Sequence, residues 1–130
     1  MSEIQSFEDL EVWKRGCQLA VDLCVATHDS KDYALKNQME RAVVSIPSNI
    51  AEGCERDTTP EFIRFLRISK GSCGELRTQL YISKRVRECL QQTALPKSSD
   101  MISETKEISK MLQGLINSLQ HRLPNSSTDH

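Results

Sequence analysis

Aromatic residues are scarce in this chain: one Trp, two Tyr and three Phe among 130 residues. Any core must therefore be mostly aliphatic. Only five Gly and four Pro are present, so few breakers stand in the way of long uninterrupted helices. No apolar run approaches the roughly 18 residues that a membrane span requires. The opening stretch, Met1-Ser2-Glu3-Ile4-Gln5-Ser6, has neither the basic nor the apolar region of a secretory signal, so a cytoplasmic protein without membrane attachment is expected. The five cysteines, Cys17, Cys24, Cys54, Cys73 and Cys89, are odd in number and form no CxxC or Cys/His cluster. That excludes a disulfide framework and a zinc site, and leaves buried free thiols as the expectation for all five.

Catalytic signatures are missing too. There is no HExxH, ExxH, P-loop or GxGxxG, and the three His residues (His28, His121, His130) are scattered. No nucleophile stands beside a base. The chain is expected not to be an enzyme and to carry no metal or cofactor. Its net charge is −1, so the whole molecule is no polycation. The charge is uneven, however: residues 1–32 carry three basic and seven acidic side chains, against ten and seven in residues 33–92. An anionic partner would have to bind the middle of the chain.

What is present is helical periodicity. No segment alternates like a strand, and no Asn-Gly or Asp-Gly hairpin signal occurs. Ser6, with Asp9 three positions on, predicts the start of a first helix that runs to about His28. Asp29-Ser30-Lys31-Asp32 breaks the pattern, and Leu35, Met39, Ala42, Ile46 and Ile50 carry a second helix from about Tyr33 to Cys54. Thr58-Thr59-Pro60-Glu61 opens a third, with either Thr59 capping ahead of Pro60 or Thr58 paired with Glu61. It runs to about Leu90. A fourth follows Pro96, with a seam of Met101, Thr105, Ile108, Leu112, Leu115, Leu119 and Leu123, and Pro124 stops it. The fold class is all-α: an up-down-up-down antiparallel four-helix bundle over residues 1–124, with a polar tail at 125–130.

The first helix carries two adjacent apolar seams. Leu10, Trp13, Cys17, Ala20 and Cys24 form one; Val12, Gly16, Leu19, Leu23 and Ala26 form the other. With Val21 and Val25 they cover roughly 260° of the circumference, whereas a helix on the outside of a lone bundle needs only about 100°. The surplus predicts a homo-oligomer, with Val12, Leu19 and Leu23 at the subunit interface. The alternative is a first helix placed centrally in a monomer.

Two further segments stand out. In Ser45-Ile46-Pro47-Ser48-Asn49-Ile50-Ala51-Glu52-Gly53, Pro47 should bend or interrupt its helix. Asn49 and Glu52 share one helix face and are expected to form a buried register-setting polar pair, and Gly53 to act as a helix C-cap. On the third helix, Arg67, Lys70, Gly74, Arg77, Tyr81, Lys84 and Glu88 follow helical spacing, with Arg85 adjacent. Lys70, Arg77 and Lys84 are one heptad apart and rise over roughly 21 Å. This stripe is a candidate site for RNA or DNA phosphates, with Tyr81 placed to stack on a base. The competing expectation is a solvated face neutralised by the acidic first helix. Gly71-Ser72-Cys73-Gly74 imitates the GxxG of KH domains, but with no strands present it predicts a close helix–helix approach instead.

Phe7-Glu8-Asp9-Leu10-Glu11-Val12-Trp13, the run Gln38 to Glu52, Glu61-Phe62-Ile63-Arg64-Phe65-Leu66 and Gly71-Ser72-Cys73-Gly74-Glu75-Leu76 together resemble the motifs of the "four helix bundle protein" family. That family includes the rRNA intervening-sequence proteins and the accessory variability proteins of diversity-generating retroelements. The likeness spans roughly residues 7–120. It implies a four-helix subunit assembled as a homopentamer. In the retroelement branch it further implies a basic barrel that binds nucleic acid and partners a reverse transcriptase. A protein-interaction scaffold with no direct nucleic-acid binding is the alternative function.

Overall fold

The computed structural model describes residues 6–123. Ser6 accepts a hydrogen bond from the Glu8 N–H, but it caps only a single 3-10 turn at Phe7–Asp9. Leu10 is extended (φ −81°, ψ 123°), so the first α-helix, α1, spans Glu11–Ala26. The continuous helix expected from Ser6 is thus split. The edge-to-face contact of the Phe7 and Trp13 rings, with centroids 5.2 Å apart, folds the turn back onto α1.

Three helices follow: α2 at Tyr33–Cys54, α3 at Thr59–Cys89 and α4 at Ser98–His121. Asp32 caps α2 by accepting from the Leu35 N–H. Thr58 caps α3 by accepting from the Glu61 N–H, the second of the two starts considered for that helix. Lys97 precedes α4 in the left-handed region (φ 60°) and supplies no side-chain cap. Pro124 and the expected tail at 125–130 lie outside the described residues.

α1 and α3 each pack against α2 and α4, and the backbones of the two diagonal pairs stand further apart. The core is aliphatic as expected, with Ile46, Ile50, Leu66, Leu76, Leu80, Ile108, Leu112 and Ile116 fully enclosed. Ile116 escaped the sequence seam, whose Leu115 and Leu123 are only half-buried.

Leu19 is 1 % exposed, Leu23 0 % and Val12 5 %, all within a single subunit. Their expected place at an oligomer interface is therefore overturned. They face inward because α1 approaches α2 through Gly16, where an added Cβ would sit 3.3 Å from Ile46 and 3.4 Å from Pro47. That approach turns the Val12–Leu23 seam to the core and leaves the other seam (Trp13, Cys17, Ala20, Cys24) half-buried at the outer edge. Val21 and Val25 remain exposed beyond it.

The α2 segment also departs from expectation. α2 runs through Pro47 without interruption. Asn49 donates to the carbonyl of Ser45, one turn back in its own helix (2.8 Å), while Glu52 is exposed and ion-paired to Arg56 at 2.9 Å. The two do not form a buried pair. What ties α2 to α3 is hydroxyl chemistry: Ser69 donates to the Ile46 carbonyl (2.8 Å), and Ser45 donates to Ser72 (2.6 Å), which donates to Ile68 (3.2 Å).

Gly53 lies inside α2, not at its cap. An added Cβ there would meet Phe65 Cβ at 2.7 Å and the Phe62 carbonyl oxygen at 3.1 Å. The residue is there for close approach. Gly71 and Gly74, by contrast, have nothing within 4 Å of an added Cβ, so the close approach expected of the GSCG stretch is absent.

Candidate nucleic-acid interface

The thirty-one residues of α3 keep the heptad geometry that the stripe needs. Lys70 donates to Gln113 Oε1 of α4 at 2.7 Å, which fixes the stripe on the flank of α3 that borders α4. Lys70 and Arg77 are half-buried, while Arg67, Tyr81, Lys84 and Arg85 are exposed. Partial burial of the stems lets a long side chain cover apolar surface while its charge stays in water.

Among the described residues, Arg67, Lys70, Arg77 and Lys84 have no ion-pair partner, and Arg85 lies 3.7 Å from Glu88. The acidic first helix does not neutralise the stripe, because among the described residues no ion pair joins α1 to α3. The α1 carboxylate Asp22 is instead 3.5 Å from Lys97. Arg15 of α1 makes a two-point contact with Glu104 of α4 (2.6 and 2.7 Å), which raises the Arg15 pKa.

Sequence reading missed the second wall of this groove. Counting across the antiparallel pair from the Lys70–Gln113 contact places Lys106, one heptad before Gln113, level with Arg77. Asn117, which accepts from Gln113 Nε2 at 2.9 Å, falls one residue past the level of Arg67. Periodicity on α4 distinguishes the buried face from the exposed one but does not say which flank meets α3. The Lys70 contact supplies that information.

Cys73 is fully enclosed in the core. Burial pushes the Cys73 thiol up to about 12, so it stays protonated and inert. The expectation that all five are buried is corrected, since Cys17, Cys24 and Cys54 are half-buried and Cys89 is exposed. Among the described residues no cluster of metal-ligating side chains forms, and no helix is long and apolar enough to cross a membrane.

The model of one family, the 23S rRNA-intervening sequence protein, matches residues 8–114. The chain belongs to that family. A crystal structure described as a protein of unknown function from the S23 ribosomal protein family of Bacteroides thetaiotaomicron has the same fold. Its TM-score is 0.72 at 21 % identity, with 81 % of this chain and 97 % of that chain covered. No curated protein matches the sequence.

Proposed function

We propose that this rRNA-intervening-sequence family member is a non-catalytic, oligomeric scaffold that associates with nucleic acid along the α3/α4 groove. The observation that carries this reading is the row Arg67, Lys70, Arg77 and Lys84, unpaired among the described residues and continued across the groove by Lys106. Surface cations without carboxylate partners are the footprint of phosphate binding. Because the family's description names 23S rRNA, RNA is the first nucleic acid to test.

RNA binding followed by fluorescence anisotropy is expected to weaken steeply between about 50 and 200 mM salt as counterions are released. Lys70→Glu/Arg77→Glu/Lys84→Glu should reduce it by at least about tenfold at 50 mM salt, with circular dichroism unchanged. No binding by the wild type at that salt would sink the nucleic-acid reading. It would leave a scaffold that engages proteins alone, a reverse transcriptase among the possible partners.

The oligomer is proposed on a corrected surface. Val21 and Val25 of α1 and Val44 of α2 are 54 %, 71 % and 49 % exposed, beside the half-buried seam of Trp13, Cys17, Ala20 and Cys24. A second exposed pair, Ile68 and Ile82, lies on α3. Two distinct apolar rows favour head-to-tail contacts, which form a ring where the rotation between subunits closes, as in the pentamer that the resemblance implies. Light scattering at tens of micromolar should find an oligomer that Val21→Glu/Val25→Glu dissociates with helicity intact. A monomeric wild type would refute it.

A further inference from the structure

A cleft of about 470 Å³ lies between the N-terminal turns of α2 and the C-terminal turns of α3, at the end of the bundle that carries the α1–α2 and α3–α4 connections. Its lining is mixed: Leu35, Met39, Val86, Leu90 and Leu95 supply the apolar part, and Ser30 and Gln92 are among the polar residues around them. Ser83, which also lines it, is only 4 % exposed, and among the described residues its hydroxyl has no hydrogen-bond partner. The Ser83 hydroxyl is not sealed off but opens on the cleft, where a ligand group can accept from it.

The rim carries charge held in place. Lys36 donates to the His28 carbonyl at 3.4 Å, and Arg87 to the Thr93 carbonyl at 2.9 Å. Both bonds go to neutral main-chain oxygens, and neither cation has an ion-pair partner among the described residues. Lys31, Asp29 and Asp32 also line the cleft. Of the two carboxylates, Asp32 is engaged in capping α2, and Asp29 lies 4.0 Å from His28 Nε2.

We propose that this cleft binds a small amphiphilic anion, a short hydrocarbon chain ended by a carboxylate. The chain packs on Leu35, Met39, Val86, Leu90 and Leu95, the carboxylate sits between Lys36 and Arg87, and Ser83 donates to it. Apolar walls with a few convergent polar groups, in a volume within about 300–1,000 Å³, are what small-ligand sites have in common. The site is separate from the α3/α4 groove and does not depend on nucleic-acid binding.

The test is a titration of the full-length, isotope-labelled protein with decanoate, followed by amide shifts in NMR. Shifts should be confined to residues 29–39 and 83–95. Decanol should bind at least about tenfold more weakly, because a charged hydrogen-bonded head group contributes on that scale. Lys36→Gln/Arg87→Gln should cost about the same factor, and neither substitution touches the core. The proposal is overturned by silence up to about millimolar decanoate, by shifts spread equally over Val21, Val25 and Val44, by decanol binding as well as decanoate, or by unchanged affinity in the double variant.

Discussion

Leu23→Glu is expected to abolish the cooperative thermal unfolding transition, leaving a chain with little helical signal in circular dichroism. Leu23 is 0 % exposed. The substitution forfeits roughly 1.5–3 kcal/mol of apolar burial and also asks a carboxylate to enter the core, or to stay protonated there at several kcal/mol more. Against a total stability of about 5–15 kcal/mol, little remains. The same substitution at Val25, two residues on and 71 % exposed, should alter the stability of a subunit by about 0.5 kcal/mol or less. If Leu23→Glu instead yields a folded monomer, Leu23 belongs to an interface and the inward placement of its seam is wrong.

Gly53→Ala should lower stability by about 3 kcal/mol, near the upper end of what overpacking costs, and the melting temperature by roughly 10 °C. The sign is unusual. In most helix interiors Gly→Ala stabilises by about 0.5–1 kcal/mol, and Gly71→Ala, with nothing within 4 Å of the new Cβ, should do so here. At Gly53 the obstacles are Phe65 Cβ at 2.7 Å and the Phe62 backbone oxygen at 3.1 Å. Neither is the far end of a flexible side chain, so α2 and α3 must move apart. Urea denaturation of both variants gives the contrast, and a Gly53→Ala midpoint equal to or above wild type would refute the close approach.

Much of the fold was legible because local chemistry and periodicity agree. The bounds of α2 follow from the polar break Asp29-Ser30-Lys31-Asp32 and from apolar spacing that survives Pro47. The start of α3 was narrowed to two caps, and the Glu61 N–H chose Thr58. Failures arose where a tertiary contact decides between patterns that look alike. Two seams on α1 are equally apolar, and only the approach of Gly16 to Pro47 says which one turns inward. A glycine near a helix end resembles a cap until the phenylalanines of the next helix are seen beside it. Along the candidate interface, the α3 row was readable from its heptad spacing. Lys106, Gln113 and Asn117 were not, since the flank of a helix that borders a neighbour is set by packing.

The hydroxyl bonds between α2 and α3 have a consequence beyond holding the helices together. Slippery aliphatic surfaces permit one rod to slide along another by a turn, at little loss of contact. Ser69 on the Ile46 carbonyl and Ser45 on Ser72 act as pawls against such sliding, because a one-turn shift would break both bonds between the helices. The height of the cationic row is thereby locked to the rest of the subunit, and in an assembled ring every copy would present its charges at one level, like teeth on a gear.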